Sequence, residues 1–187
     1  GGEYKITSDY LEAGTFAIAA VITNGTVKIK NIEPDHLDSF WQKLEEVGAN
    51  FELGKNYVQI KAHGKLVAVE KLQTAVYPAF PTDLQAPFVV LLTQCEGTSK
   101  IHETLFEGRL NYLAELERMG ANAKILNPHQ ALVRGPKQLK AAQIVSHESK
   151  QIHMTVRVEV SEPKNNLPRA SMTKKARPTP LTSLAVE

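Results

Sequence analysis

The chain has 187 residues, of which 42% are hydrophobic and 22% charged, and its formal net charge is +2. This composition is ordinary for a globular core, with room for one domain or part of a two-domain protein, and so small a charge favours neither nucleic acid nor a membrane as a partner. No apolar run reaches the roughly 18 residues of a membrane span. The single cysteine, Cys95, excludes an intramolecular disulfide and fits a reducing compartment. We therefore expect a cytoplasmic protein. Gly1-Gly2 in place of an initiator Met suggests a chain cut from a longer one, although a processed tag remnant would look the same.

An internal repeat organises the chain. Several segments of the first half align with segments of the second half at one offset of 72 positions. The aligned pairs are 16–21 with 88–93, 25–26 with 97–98, Leu44 with Leu116, and 48–50 with 120–122. Chance does not keep one register over so many positions, so the sequence predicts a duplicated unit.

Each copy predicts the same elements in the same order. An apolar helix comes first, and its small and aliphatic residues lie all round it, which is typical of a buried helix. A Gly-Thr turn, an alternating strand, an amphipathic helix ending at a left-handed glycine and two short strands follow. The predicted ranges are about 12–23, 27–31, 37–44, 50–53 and 57–62, then about 84–94, 99–103, 112–119, 123–126 and 130–134, with Gly48 and Gly120 as the caps and a linking strand near 67–74.

This α-β-α-β-β unit cannot cover its own sheet, so several copies must pack with their apolar helices inside. The sequence predicts an α/β domain over residues 1–146, with repeat one at about 4–75 and repeat two at about 76–146. A third repeat should begin near Ala142, but no apolar helix follows His147. Residues 151–160 alternate like a strand, and residues 163–187 hold four prolines and five basic residues. We expect a degenerate third repeat and a divergent, irregular tail over 147–187.

The stretch 79–86 is the first candidate for a functional site. Asp83 follows Pro81 and Thr82, and an apolar helical run begins directly after it at Leu84. Thr82 is suited to cap that helix, and the arrangement would present one carboxylate at a fixed helix mouth. On residue types alone, Thr82 and Asp83 are better interpreted as helix caps than as site residues.

Five motifs change that interpretation. They are DYLEAGTF at 9–16, YPAFPTDLQA at 77–86, EGT at 96–98, ETLFEGR at 103–109 and RMGA at 118–121. Together with the repeat, they make residues 4 to about 145 resemble the enolpyruvyl transferases, and most closely the branch that acts on UDP-N-acetylglucosamine. The resemblance implies that family's inside-out α/β architecture, in which two domains of three repeats each bind substrates in the cleft between them.

The resemblance also implies a reaction. The enolpyruvyl group of phosphoenolpyruvate moves to the 3-hydroxyl of UDP-N-acetylglucosamine, with release of phosphate and without a cofactor or a metal. Asp83 matches the family's candidate base at the sugar hydroxyl, and Arg109 matches an arginine that faces the phosphoenolpyruvate anion. Leu105 and Phe106 match positions that contact UDP-N-acetylglucosamine. We now interpret Asp83 as a site residue, while ordinary core roles for Leu105 and Phe106 and an exposed helix-start role for Arg109 stay open.

Departures from the family pattern qualify the resemblance. Gly108 stands where the family has asparagine before the arginine. The motifs of the other domain are missing, Cys95 is interpreted as structural, and Glu148 to Ile152 lacks the expected Asp-Leu-Arg-Ala-Ser turn. We therefore expect most of one domain of a partial enzyme, inactive without its second domain, because catalytic groups act as a set.

Three alternatives remain open at this point. The first is the sister reaction on shikimate phosphate, which the motifs at 80–83 and 106–109 match less well. The second is a non-catalytic RNA-binding repeat module that uses the basic tail from Lys164 to Arg177, although no stacking aromatic residues are interleaved with its charges. The third is a truncated product without a cellular role. No histidine pair has metal-ligand spacing on a helix face, so no metal site is predicted.

Overall fold

A computed structural model of the chain describes residues 1–4 and 6–143. Within them, the helices are α1 (Tyr10–Ile22), α2 (Asp38–Glu46), α3 (Gln85–Leu92) and α4 (Tyr112–Arg118). The strands are β1 (Val27–Lys30), β2 (Asn50–Gly54), β3 (Tyr57–Lys61), β4 (Lys71–Gln73), β5 (Gly97–His102), β6 (Asn122–Asn127) and β7 (Gln130–Gly135). Short 3-10 turns, Pro34–Leu37 and Thr82–Leu84, directly precede α2 and α3. The start predicted for a third repeat and the predicted tail at 147–187 lie beyond or at the limit of the described residues.

The strands form two sheets. The first has the order β1-β3-β2 and is antiparallel throughout, whereas the second has the order β4-β5-β7-β6 and pairs β4 with β5 in parallel. The order helix, strand, helix, strand, strand thus occurs from α1 to β3 and again from α3 to β7. The mixed α/β prediction is confirmed. The linking strand is shorter than predicted, because beyond Lys71–Gln73 only isolated bridges form, at Val67 and Thr74.

Helix α1 shows how local sequence sets the element bounds. The Asp9 carboxylate accepts hydrogen bonds from the backbone N–H groups of Leu11 and Glu12, at 2.8 and 3.3 Å. This cap begins the helix at Tyr10, slightly earlier than predicted. The predicted glycine caps are also confirmed, since Gly48 and Gly120 have φ values of 87° and 96°, in the left-handed region. None of the helices in the described ranges is long and apolar enough to cross a membrane.

An aromatic cluster connects the helices to the turn that precedes α3. The Phe40 ring of α2 lies 6.0 Å from the Phe88 ring of α3 and 6.0 Å from the Phe80 ring. Phe80 and Phe88 pack edge to face at 5.3 Å. All three side chains are buried, and such pairs stabilise beyond the area they bury. The cluster therefore fixes the chain just before the 3-10 turn Thr82–Leu84.

Candidate active site

The turn that carries Asp83 is anchored on both sides. Phe80 before it and Leu84 after it are buried, with exposed fractions of 3% and 0%, whereas Asp83 between them is exposed. The predicted helix cap is wrong, because neither Thr82 nor Asp83 makes a side-chain cap hydrogen bond to the turn or to α3. The Thr82 hydroxyl instead donates to the Glu103 carboxylate at 2.7 Å. Because an ionised carboxylate accepts hydrogen bonds strongly, this distant partner replaces the local one.

Asp83 and Arg109 form an ion pair, although 26 positions separate them. The Arg109 Nη2 donates to Asp83 Oδ1 at 2.5 Å. The Asp83 side chain is 53% exposed and the Arg109 side chain only 22%. Arg109 lies in the loop before α4 and is half-buried, so it is not an exposed helix-start arginine. The structure thus brings the two predicted catalytic residues together at the surface.

The two predicted sugar-contacting residues lie on the same loop as Arg109. Leu105 is 38% exposed and Phe106 is 52% exposed, so neither is an ordinary core residue. The Arg109 guanidinium carbon lies 5.2 Å from the centre of the Phe106 ring, a cation–π distance. An apolar, solvent-accessible side chain therefore adjoins the ion pair.

Gly108 gives this loop its bend. Its φ of 76° lies in the left-handed region, and its carbonyl accepts a hydrogen bond from the Asn111 N–H at 3.1 Å. Glycine adopts this conformation without steric cost, and asparagine adopts it more readily than most other residues. The left-handed φ accounts for the glycine here and is compatible with the asparagine that the resemblance leads one to expect.

Sequence reasoning missed Glu103, a buried carboxylate beneath the site. The exposed fraction of Glu103 is 0%. Its Oε2 accepts from the Thr82 hydroxyl and, at 3.2 Å, from Gln85 Nε2. Its Oε1 accepts from the backbone N–H groups of Leu105 and Phe106, at 2.9 and 3.3 Å. Glu103 therefore contacts both segments that carry predicted site residues.

Hydrogen bonds keep Glu103 ionised. Burial alone acts to raise the pKa of this carboxyl, but donors from Thr82, Leu105, Thr74 and Phe106 together outweigh it and lower the pKa below its usual value. Tyr112 supports the arrangement from α4 by donating its hydroxyl to Gln85 Oε1 at 2.6 Å. Burial, and then the nearby Glu103 charge, raises the pKa of Tyr112, which keeps the phenol protonated as a donor.

The alternation of β5 was the signal that could have revealed Glu103. Ser99, Ile101 and Glu103 share one register and are all buried, whereas Lys100 and His102 between them are not. An acid at an inward-facing position must be satisfied by buried donors, since an unpaired buried charge is costly. The pattern thus indicates that Glu103 has partners, although it does not say which ones.

The arrangement contains the groups needed to accept a proton from one molecule and to bind an anion next to it. An exposed carboxylate can accept a proton from a hydroxyl, and a planar guanidinium can bind a phosphate or carboxylate through two parallel hydrogen bonds. A nucleophilic thiol is not among these parts, because Cys95 is buried and burial raises its pKa to about 12. Across residues 1–4 and 6–143, the structure contains no cluster of three His, Cys, Asp or Glu side chains that could hold a metal ion.

Comparison with known families agrees with this chemistry. The family model described as EPSP synthase (3-phosphoshikimate 1-carboxyvinyltransferase) matches residues 1–158. The chain belongs to this enolpyruvyl transferase family. Curated members similar to it are named UDP-N-acetylglucosamine 1-carboxyvinyltransferase: it is 42% identical to the one from Shewanella amazonensis, 41% to that from Klebsiella pneumoniae and 40% to that from Escherichia coli. Each alignment covers 146 residues, 78% of this chain but only 35% of the relative.

Solved structures of enolpyruvyl transferases share the fold. The enolpyruvyl transferase NikO from Streptomyces tendae aligns with a TM-score of 0.64 at 23% identity, over 71% of this chain and 31% of that one. An EPSP synthase from Acinetobacter baumannii aligns with a TM-score of 0.54 at 16% identity, over 74% of this chain and 35% of that one. At these identities the likeness concerns the fold alone. The chain therefore spans about a third of the proteins that it matches.

Proposed function

We propose that this chain is part of a UDP-N-acetylglucosamine 1-carboxyvinyltransferase. The full enzyme would transfer the enolpyruvyl group from phosphoenolpyruvate to the 3-hydroxyl of UDP-N-acetylglucosamine, for peptidoglycan precursor synthesis in the cytoplasm. The observation that carries the proposal is the Asp83–Arg109 pair at the surface, beside the exposed Phe106. The names of the relatives at about 40% identity supply the substrates.

The roles follow from the chemistry of the two groups. Asp83 accepts the proton of the sugar hydroxyl as that oxygen attacks phosphoenolpyruvate, and Arg109 binds the phosphoenolpyruvate anion. Leu105 and Phe106 offer apolar surface and backbone to UDP-N-acetylglucosamine. Arg109 contacts Asp83 through Nη2, which places the two groups next to each other.

The proposal extends to the architecture. We propose an inside-out α/β domain with two complete α-β-α-β-β repeats and a degenerate third, with residues 147–187 forming a divergent tail. Its partner is the second domain of the same enzyme, which closes the cleft and supplies the acid that protonates the enol. The chain alone is expected to bind substrate weakly and to be inactive, because losing part of a catalytic set loses most of the acceleration.

The test is a titration of the purified chain with UDP-N-acetylglucosamine, followed by amide NMR. We expect saturable shifts at Thr82, Asp83 and Leu105 that weaken in Asp83→Asn. Asp35→Asn is a matched control, since Asp35 is an exposed acid in the other 3-10 turn, Pro34–Leu37, and should leave binding unchanged. A dispersed spectrum without any response would contradict substrate recognition by this chain.

The same titration separates the alternative functions. If the proposal holds, shikimate 3-phosphate should cause amide chemical-shift changes at least about tenfold smaller than those caused by the same concentration of UDP-N-acetylglucosamine. A stronger response to shikimate 3-phosphate would favour the sister reaction. Shifts induced by RNA that weaken steeply with salt would favour the nucleic-acid alternative.

A further inference from the structure

Glu103 links the two segments that carry the candidate site. Asp83 lies on the 3-10 turn Thr82–Leu84, and Arg109 lies on the loop between β5 and α4. At the surface, Arg109 contacts Asp83 across these two segments. Beneath them, Glu103, the first residue of the loop after β5, is hydrogen-bonded through its carboxylate both to the Asp83 turn and to its own loop. The candidate base and the anion-binding arginine therefore share one buried support.

Each carboxylate oxygen of Glu103 accepts hydrogen bonds from a different one of the two segments. Oε2 binds the Asp83 side, through the Thr82 hydroxyl at 2.7 Å and Gln85 Nε2 at 3.2 Å. Oε1 binds the Arg109 side, through the N–H groups of Leu105 at 2.9 Å and Phe106 at 3.3 Å. Each segment is thus hydrogen-bonded to a different oxygen of the same rigid, planar carboxylate. The distance between the segments is tied to the geometry of that group.

Glu103 is itself held in place. Its backbone N–H donates to the carbonyl of His129 at 2.8 Å, and His129 Nδ1 lies 2.8 Å from the carbonyl of Glu103. The carboxylate is fully buried and carries hydrogen bonds from segments on both sides. A group fixed by hydrogen bonds to His129 at its backbone and by donors at its carboxylate is suited to transmit position rather than to react.

We propose that Glu103 is a positioning residue, which sets the distance and orientation between Asp83 and Arg109. The inference rests on the proposed function, because it assigns Glu103 to the same site. Glu103 does not touch the substrates and acts through Thr82 on one side and through Leu105 and Phe106 on the other.

Glutamine is the informative substitution at this position. Glu103→Gln keeps the shape but converts one oxygen into an NH2 group, which would face the donors of one segment. Whichever way the amide turns, one of the two segments loses its acceptor. A residue that only filled space would tolerate this change, whereas a positioning residue would not.

The experiment compares wild type, Glu103→Gln and a matched control, Glu117→Gln, by NMR without ligand. Glu117 is an exposed acid on α4, so its variant loses the same charge at the surface. The readouts are the guanidinium signals of Arg109 and the carboxylate signal of Asp83, with a cooperative unfolding curve as the check of folding. We expect Glu103→Gln to fold, to speed rotation of the Arg109 guanidinium at least about tenfold, and to shift the Asp83 signal. The control should match wild type.

A purely structural role gives a different result. If Glu103→Gln lowers stability and moves the Leu105 and Phe106 amide signals, but leaves the Arg109 and Asp83 signals as in wild type, the positioning role is refuted. Should Glu103→Gln fail to fold, Thr82→Val and Thr82→Ser carry the test. Thr82→Val removes the donor on the Asp83 side, and Thr82→Ser restores a hydroxyl. The proposal then requires the Asp83–Arg109 signals to change in the first variant and to recover in the second, and unchanged signals in Thr82→Val overturn it.

The positioning role and the proposed function are tested apart. The ligand-free signals report on positioning alone, whereas the titration of wild type with UDP-N-acetylglucosamine reports on the function. If wild type binds, Glu103→Gln should raise the dissociation constant at least about tenfold and Glu117→Gln less than about twofold. If wild type does not bind, the function fails while the ligand-free comparison still decides the role of Glu103.

Discussion

Replacing Thr82 by valine should measure how strongly the buried carboxylate holds the Asp83 turn. The substitution keeps the branched shape and removes one hydrogen bond, the 2.7 Å bond to the fully buried Glu103. A hydrogen bond to a charged group contributes about 1.5–3 kcal/mol. Because Oε2 keeps its bond from Gln85, Glu103 is not left unsatisfied and the cost should fall in the lower half of that range. We expect a loss of about 2 kcal/mol in the free energy of unfolding.

Urea denaturation followed by tryptophan fluorescence can measure this loss. Trp41 is the only tryptophan, and its exposed fraction is 3%, so its emission reports on the loss of the core. With an m-value of about 2 kcal/mol per molar urea, the midpoint should fall by about 1 M. Thr98→Val, at an exposed position of β5, is the matched control and should stay within about 0.5 kcal/mol of wild type.

The reasoning behind the Thr82 prediction can be refuted in two ways. A midpoint for Thr82→Val within the error of the Thr98→Val midpoint would mean that the hydrogen bond contributes nothing measurable. A double-mutant cycle with Glu103→Gln gives the second check, since the two sites are in contact and should couple by about 0.5–3 kcal/mol. Additive effects would show that Thr82 and Glu103 act independently.

Three further predictions concern the same region and its surroundings. Because hydrogen bonds lower the pKa of folded Glu103, its stabilisation is present above the unfolded pKa of about 4.3 and is lost as pH falls through the folded pKa; urea midpoints between about pH 5 and pH 2 should show an acid loss that shrinks in Glu103→Gln. Gly14→Ala would place its methyl group 2.5 Å from Cδ1 of the buried Leu84, which costs about 1–3 kcal/mol, while alanine gains up to about 1 kcal/mol over glycine inside α1; we expect a net loss of up to about 2 kcal/mol in the same assay, and a variant about 1 kcal/mol more stable than wild type would contradict that close approach. Iodoacetamide should alkylate Cys95 at least about 100 times more slowly in the native chain than in urea at pH 8, since burial raises the thiol pKa to about 12; equal rates would mean that the site opens readily.

Much of the fold could be predicted because it depends on short-range patterns. Sequence patterns that span only a few residues predict the apolar helices, the alternating strands and the left-handed conformation of Gly48 and Gly120. The predicted repeat supplied a second, similar segment with which to compare each element. The prediction failed where a distant partner decides the local structure, as at Thr82, whose hydroxyl binds Glu103 and not the start of α3.

At the candidate site too, local sequence patterns did not predict the contacts between residues that are distant in sequence. Asp83 and Arg109 lie 26 positions apart, and nothing in the local sequence of either indicates an ion pair. Only the resemblance to a family suggested that they work together. Glu103 escaped notice because its partners come from two segments, and a buried acid is identified by the donors around it, which the sequence does not place in space.

The parallel pairing of β4 with β5 determines how the chain can be divided. β4 follows the first three-stranded sheet in sequence but forms the edge of the second sheet, with Lys71 opposite Lys100 and Gln73 opposite His102. A fragment that stopped near residue 75 would carry β4 as a loose strand, and one that began there would leave the edge of β5 open to other chains. Limited proteolysis between the halves should therefore yield pieces that stay associated or aggregate, and not two soluble units. Protein engineers who wish to shorten or recombine such chains should place the junction before Leu66, because Leu66, Ala68 and Glu70 also form backbone hydrogen bonds with Glu96 or Lys100.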